Sequence, residues 1–541
     1  MSKFRIKCSD YERCLLTEVP PYETTLLYSN WGSYNYFKNL SSKKQPPLIK
    51  EIMEIKKPTI PYQFKYYKDK IKKRTLSIIH PGISKKIIEL YSNYETFIVN
   101  LCKKSEFSIR YPHAIAKLFI ADKKKAKDLK RNELVDETTS NASSFFSYLY
   151  FTHLYKYFES YQYTSLEKKF LYQEYFDISN CFPSIYTHSL SWAVKGKLFS
   201  KDDMSNKKDS RDSKAFDYLF DHLMQSVNYQ ETNGIIIGPE FSRIFAEIIL
   251  QEIDKKIILK MEESKYKHTI DYQCIRFIDD YFVYYNDKTI ATKFKEILSD
   301  ELEKFKLYLN FEKSQINTRP FISSISIKKI SISSYITELM ERIRLIREGR
   351  NINSQKEITK IREIINKESE NNHAITNFFL SAIINHLSLL NGFSAEQKTL
   401  SIKLLLDIVF YLLNIDTRVA AINKLAKFII YLKEYINDLS EFYKLPIYDQ
   451  IFFEINELIK LCIRDQSNIE MMNLLILLTQ LNDNFKIDIS LMNGIIRCCN
   501  LKNIPDERKI KSLDYFEITT LLFYVKNCDL YKEIKEKLIH D

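Results

Sequence analysis

Hydrophobic residues recur along this chain in two rhythms, and the change from one to the other divides it. Between Pro61 and Pro81 (PYQFKYYKDKIKKRTLSIIHP) two β-like runs, YQFKYY and RTLSII, flank the polar turn KDKIKK. That pattern predicts a hairpin presenting Lys68, Lys70, Lys72, Lys73 and Arg74. From Ser84 to Lys103 the period lengthens to that of a helix, with Ile87, Ile88, Leu90, Tyr91, Tyr94, Phe97, Ile98 and Leu101 on one stripe. Ser108–Pro112 breaks it, because a residue before proline disfavours helix. Asn141–Tyr163, with FFSYLYFTHLYKYF, predicts a long aromatic helix. An extended run of Leu171, Tyr172, Tyr175 and Phe176 then ends in Asp177.

Glycine and proline punctuate the middle of the chain. Gly234 and Gly238 bracket an apolar turn, and Pro239 opens a helix whose stripe is Phe241, Ile244, Phe245, Ile248, Ile249 and Ile253. Tyr272–Asn286 reads YQCIRFIDDYFVYYN, which predicts strand, turn and strand with Asp279 and Asp280 at the tip. A helical run, Ile290–Phe305, leads to LYLNFEKSQI (Leu307–Ile316), read as a turn and strand carrying Lys313. From about Tyr335 the strand signals stop. Amphipathic segments of helical period run to Asp541, among them Ile336–Glu348, Ile375–Leu390, Leu400–Leu413, Arg418–Ile436, Ile451–Cys462, Met471–Leu481 and Ile518–Tyr524. They show no strict repeat period, so an irregular helical array is expected.

Composition narrows the chemistry. Hydrophobic residues are 45% and charged residues 28% of 541, as in an ordinary globular chain rather than a disordered one. The net charge of +12 is spread along the chain, which fits either a lysine-rich coding bias or a polyanionic partner. A second basic cluster lies at Lys123–Arg131. Nine scattered cysteines form no CxxC pair, the N-terminus lacks the apolar core of a signal peptide, and the uncharged run Asn371–Ala395 reads as a buried helix. A soluble, cytoplasmic protein with no membrane partner is expected. Only 8 glycines occur, with no GxGxxG, no GxxxxGKS or GxxxxGKT, no HExxH and no GxSxG. Phosphate must therefore be bound by metal and basic side chains rather than by a glycine-rich cradle.

Paired negative charge at a hairpin tip calls for positive charge against it, and a pair of divalent cations is the candidate. A strand-end Asp177, a Gly-Pro turn opening a helix, the Asp279–Asp280 tip, then Lys313 about thirty residues on: this is the order of a palm-domain polymerase. Nucleotidyl transfer by in-line displacement uses two cations roughly 3.5–4 Å apart. Carboxylates from neighbouring strands can hold both and leave room for a triphosphate.

Motif by motif, the chain resembles reverse transcriptases. FDISNCF is similar to their first catalytic motif, which implies Asp177 as a metal ligand, Ile178 and Phe182 at the nucleotide, and Phe182 screening the sugar 2′ face. GIIIGPEFSRIFAEI is similar to the glycine motif that backs nucleotide and template, here through Gly238. RFIDD resembles the F/Y-x-D-D box, so Asp279 and Asp280 complete the metal set. LNFEKS resembles the motif whose lysine, Lys313, lies near the phosphates. KYYKDKIKKRTLSIIHP resembles the fingers motifs, with Lys68 and Arg74 as triphosphate contacts. The box is FIDD rather than YADD, the glycine motif has IIIG where many members have LPQG, and no VTG signature appears.

YTHSLSWAVKGK, the GxxxGPxxSR turn and the helical C-terminal third look most like prokaryotic abortive-infection and defence-associated reverse transcriptases. The likeness covers residues 55–330, and the helical remainder in kind only. It implies an α+β chain: an N-terminal extension (1–57), a right-hand fingers–palm reverse transcriptase domain (58–330) and an all-α helical, repeat-like C-terminal domain (331–541). It implies two Mg²⁺ ions, with Mn²⁺ as an alternative, and dNTP polymerisation in antiviral (antiphage) defence. The DNA synthesis is RNA-directed, untemplated or protein-primed. Implied partners are a noncoding RNA or the DNA product, a second reverse transcriptase subunit, and further copies of the chain in a homo-oligomer. The competing readings are a catalytically inactive palm scaffold that binds RNA or a partner polymerase, a palm-class RNA polymerase or nucleotide cyclase, and an α-solenoid RNA-binding scaffold. The intact Asp177, Asp279 and Asp280 weigh against a spent site, because buried carboxylates without a compensating cation are costly.

Overall fold

The Pro61–Pro81 hairpin forms as its pattern predicts. β1 (Tyr62–Tyr67) pairs antiparallel with β2 (Lys73–Ile78), placing Phe64 opposite Leu76 and Tyr66 opposite Arg74. A computed structural model describes every residue of the chain except positions 1–3, 7–8, 19–22, 40–45, 56, 68–71, 117–118, 122–143, 152, 207–214, 323, 367–371, 483, 502–512 and 541. Lys68 and Lys70 at the hairpin tip, and the basic cluster Lys123–Arg131, lie outside the described residues. Helix α1 (Ser84–Leu101) follows the hairpin and buries Ile87, Leu90, Tyr91, Ile98 and Leu101, as its 3.6-residue stripe requires.

The sheet that carries the candidate chemistry has four strands among the described residues: β3 (Tyr172–Asp177), β4 (Tyr272–Phe277), β5 (Asp280–Tyr285) and β6 (Gln315–Thr318). Their order is β6–β3–β5–β4, every neighbour antiparallel. β5 is covered on both sides, which is why every residue after Asp280 in it is aromatic or aliphatic. Tyr281, Val283 and Tyr285 face a core shared with the helix after the glycine turn, while Phe282 and Tyr284 face Tyr157, Tyr163, Phe170 and Phe321.

The expected helix over Asn141–Tyr163 does not form in its described part. Phe146–Tyr148 is a strand paired with Pro112–Ile115, and Leu154–Phe158 is one short helix. Ser160 then accepts the Tyr163 N–H and starts a separate helix, Tyr161–Lys169. The aromatic rings are divided between two cores, Phe145 and Phe146 against Tyr91 and Tyr157 against the sheet. One straight helix could not reach both, so packing overrides the local pattern.

Past the sheet the chain is helical. Ser324–Arg344 runs across position 330 and is followed by Ser354–Asn366, Asn372–His386, Ala395–Ile415, Val419–Asn437, Glu441–Asp465, Asn468–Leu478, Ile489–Leu501, Tyr515–Val525 and Lys532–His540. These helices enclose a second core of their own, joined by Leu26 from the N-terminal segment. A smaller apolar cluster ties the two parts together: Phe64, Leu76 and Ile78 of the hairpin pack with Val419, Ile469 and Phe516. None of the helices among the described residues is long and apolar enough to cross a membrane.

Candidate functional site

Sheet register gathers the predicted aspartates at one end of the sheet. Asp177 closes β3, Asp280 opens β5, and the two stand directly opposite each other in the ladder. Asp279 lies in the two-residue connection between β4 and β5. The first residue of that connection, Ile278, has φ +61°, and Asp279 is not in the left-handed region. Positive φ at the first central position is typical of a type II′ hairpin turn, where glycine is usual. A β-branched residue there is strained by about 1–3 kcal/mol.

LNFEKS reaches the same place from another direction. Ile178 forms an isolated bridge with Leu309, so the segment runs alongside the end of β3. Asn310 donates its backbone N–H to the Asp177 carbonyl (2.8 Å) and its side-chain amide to Asp177 Oδ2 (3.5 Å). Lys313, at the end of a single 3₁₀ turn (Phe311–Lys313), pairs its ammonium with Asp177 Oδ2. Tyr175, two residues before Asp177 and hence on the same face of β3, donates its hydroxyl to Asp280 Oδ1 (2.6 Å).

The electrostatics are those of crowded negative charge. Burial pushes the Asp279 carboxyl up, and the Asp177 charge adds to it. Its backbone hydrogen bond, Arg74 and Lys313 pull the other way. Burial and then the Asp279 charge raise Asp280 to about 7, against the opposing hydrogen bond from Tyr175. The Arg74 charge, exposed on β2, lowers the Asp279 carboxyl but makes no hydrogen bond or ion pair with it among the described residues, and Lys68 is outside them.

Phe182 follows Asp177 by five residues, and Gly238 lies in the glycine turn. Phe182 belongs to a short helical turn, α2 (Cys181–Ser184), and is buried in the core shared by the sheet and α1. Its carbonyl accepts the Ile235 N–H (2.9 Å), and the Ile185 carbonyl accepts the Gly234 N–H (2.8 Å). The other end of the glycine turn is sewn to the hairpin, since Ser77 N–H donates to the Ile237 carbonyl (2.8 Å). At Gly238, φ is +130° and a Cβ would lie 2.9 Å from the Ser77 carbonyl oxygen, so only glycine lets the two backbones meet. The turn then enters α3 (Glu240–Glu263), whose first N–H groups are taken by Glu18: its carbonyl accepts from Glu240 and its carboxylate from Phe241. Gly238 thus joins the hairpin to the aspartate end of the sheet, and the atoms crowding it belong to Ser77 and Leu76 rather than to the carboxylates.

Among the described residues no three His, Cys, Asp or Glu side chains already converge as a metal cage. Lys313 holds one oxygen of Asp177 and Tyr175 one of Asp280. The donor set nonetheless suits hard divalent cations, being carboxylate oxygen throughout. An aspartate raised to about 7 by burial, and then by the charge beside it, is one whose ionised form a cation would stabilise. Tyr175 and Asn310 were missed by sequence reasoning. The pleat places Tyr175 beside Asp177, and Asn310 stands three residues before Lys313, so spacing alone could have nominated both.

No family model matches this chain, and no curated protein matches it. Among solved structures it is similar to telomerase from Candida albicans in complex with a TWJ fragment of telomeric RNA, at 11% identity and TM-score 0.28, covering 71% of this chain and 68% of that one. It is also similar to apo telomerase from Candida tropicalis, at 12% identity and TM-score 0.29, covering 94% and 73%.

Proposed function

We propose that this protein is a reverse-transcriptase-type DNA polymerase, with residues 58–330 as fingers and palm and with a role in antiphage defence. The observation that supports it most is that Asp177, Asp279 and Asp280 all lie at one end of the sheet, with Lys313 paired to Asp177. Asp177, Asp279 and Asp280 would hold two Mg²⁺ ions, which in such a site lower the energy of charge developing on the attacking and leaving oxygens. Arg74 and Lys313 bind triphosphate oxygens, Arg74 through a planar fork suited to phosphate and Lys313 as a point charge. Tyr175 orients Asp280 by its hydroxyl, and Phe182 fills the space a ribose 2′-hydroxyl would need. The glycine turn holds the hairpin and the aspartates in one frame, so that phosphate grip and reacting atoms stay aligned.

The defence role is supported by the FIDD box, the GIIIGPEFSR turn and the helical C-terminal third together. Purified chain incubated with each dNTP and Mg²⁺, with any product sequenced, tests the activity. The proposal expects deoxynucleotide addition that depends on the cation, and the sequence of the product shows whether a template was copied. Addition of ribonucleotides instead would make it a palm-class RNA polymerase. No addition of either kind, with RNA retained by the protein, would make it a scaffold. A phage plaque count with and without the intact gene tests the defence role separately.

A further inference from the structure

Arg276 lies on β4 three residues before Asp279 and is completely buried. A guanidinium is rarely enclosed unless every donor has a purpose. Here Nε donates to Asp254 Oδ2 (2.8 Å), Nη1 to Glu247 Oε2 (2.8 Å) and Nη2 to Glu247 Oε1 (2.9 Å). Glu247 and Asp254 are seven residues apart on α3, hence on one face of it. Both are fixed in turn: Gln251 donates to Glu247 Oε1 (2.8 Å), and the Tyr281 hydroxyl to Asp254 Oδ1 (2.8 Å). The backbone is clamped as well, since Arg276 N–H donates to the Phe107 carbonyl (2.6 Å) and the Arg276 carbonyl accepts from Ile109 (2.9 Å).

The guanidinium's five N–H donors outnumber its three bonds to the two carboxylates, and where a further donor goes is informative. Nη1 also donates to the carbonyl of Ile278 (2.8 Å), the residue with φ +61° immediately before Asp279. The strained peptide is thereby fastened, through one rigid planar group, to the helix that the glycine turn begins. We propose that Arg276 is a positioning residue for the reaction: it holds Ile278 in the left-handed conformation that aims Asp279 and Asp280 at Asp177. This deepens the polymerase reading and rests on it. A lysine cannot replace it, because a single ammonium cannot span Glu247, Asp254 and the Ile278 carbonyl at once.

A double-mutant cycle of Arg276→Lys and Ile278→Gly tests the proposal, because glycine adopts positive φ without strain and needs no holding. Each variant is first checked for folding by its thermal transition, then read for deoxynucleotide addition and for Mn²⁺ binding by electron paramagnetic resonance. The expected result is that Arg276→Lys lowers kcat about 100-fold, the scale of an ångström misplacement, with KM for dNTP little changed. Mn²⁺ binding weakens alongside, and Ile278→Gly restores about tenfold of the lost rate and much of the Mn²⁺ affinity. Full activity and Mn²⁺ affinity in folded Arg276→Lys overturns the proposal. So does a loss that Ile278→Gly fails to relieve, which would leave Arg276 as a stabilising group only. Should Arg276→Lys fail to fold, Glu247→Gln, which loosens the guanidinium without removing it, takes its place in the cycle. A wild-type chain that adds no nucleotide but binds Mn²⁺ contradicts the polymerase reading, and the cycle is then decided on Mn²⁺ affinity. A wild-type chain that does neither overturns both.

Discussion

Asp280 shows at the scale of one residue how the site's charge couples to stability. Its folded carboxyl titrates at about 7, whereas an unfolded aspartate titrates near 4. Between those values the folded state binds the extra proton, so this group lowers stability as pH rises through that window. A divalent cation binds the ionised form and reverses the trend. The metal-free chain should therefore lose thermal stability between about pH 5 and pH 7 relative to Asp280→Asn, and the Mg²⁺-induced gain should be larger at about pH 8 than at about pH 6. Equal pH profiles for the two proteins would contradict this. Phe182 allows a second residue-scale test. Phe182→Ala empties a buried position and should destabilise by about 3 kcal/mol or more, so absolute rates will fall for any nucleotide. The ratio of kcat/KM for dNTP over rNTP cancels that loss and should drop if the ring screens the sugar; an unchanged ratio sinks the assignment. Asp177, Asp279, Asp280 and Lys313 were legible in sequence because each sits in a short motif with its own spacing. Arg276 was not, because what makes it distinctive is a pair of carboxylates on a different element, 22 and 29 residues away.

Among elements, the β1–β2 hairpin is the one whose surroundings change its meaning. Its strands were readable from alternation, and the sequence pattern stops at the basic tip. The structure adds what lies behind it. Tyr67 donates its hydroxyl to the Asp465 carbonyl (2.7 Å), Lys73 reaches the Gln466 carbonyl (3.2 Å), and the Phe516 ring meets Tyr62, Phe64 and Tyr28 edge-on. The C-terminal helices thus brace the hairpin that carries Arg74. Phe516→Ala should cost about 3–5 kcal/mol in stability and raise KM for dNTP more than it lowers kcat, as steady-state kinetics would read. A fall in kcat at constant KM would mean that the brace serves the aspartates instead. Asn141–Tyr163 illustrates the opposite case. Its aromatic content suggested one helix, and only the positions of Tyr91 and Tyr284, distant in sequence, decide that the rings must part.

For the whole molecule, two large cores meet through the hairpin cluster and through the N-terminal segment, where Leu26 N–H donates to Asn473 Oδ1 (2.8 Å) and Glu18 caps α3. Helical periodicity made the C-terminal array legible as helices. It could not reveal that the array packs against the hairpin, because contacts between distant faces leave no period. The central claim is that the three aspartates do the chemistry of nucleotide addition, and it is tested most directly by single-turnover dNTP incorporation with Asp177→Asn, Asp279→Asn and Asp280→Asn beside the wild type. Each substitution keeps size and removes one charge, so folding, checked by the thermal transition, should survive. The account predicts that each variant loses incorporation more than about a hundredfold, beyond what losing an outer partner of a metal ligand costs. Folded variants that add nucleotides at the wild-type rate would contradict it.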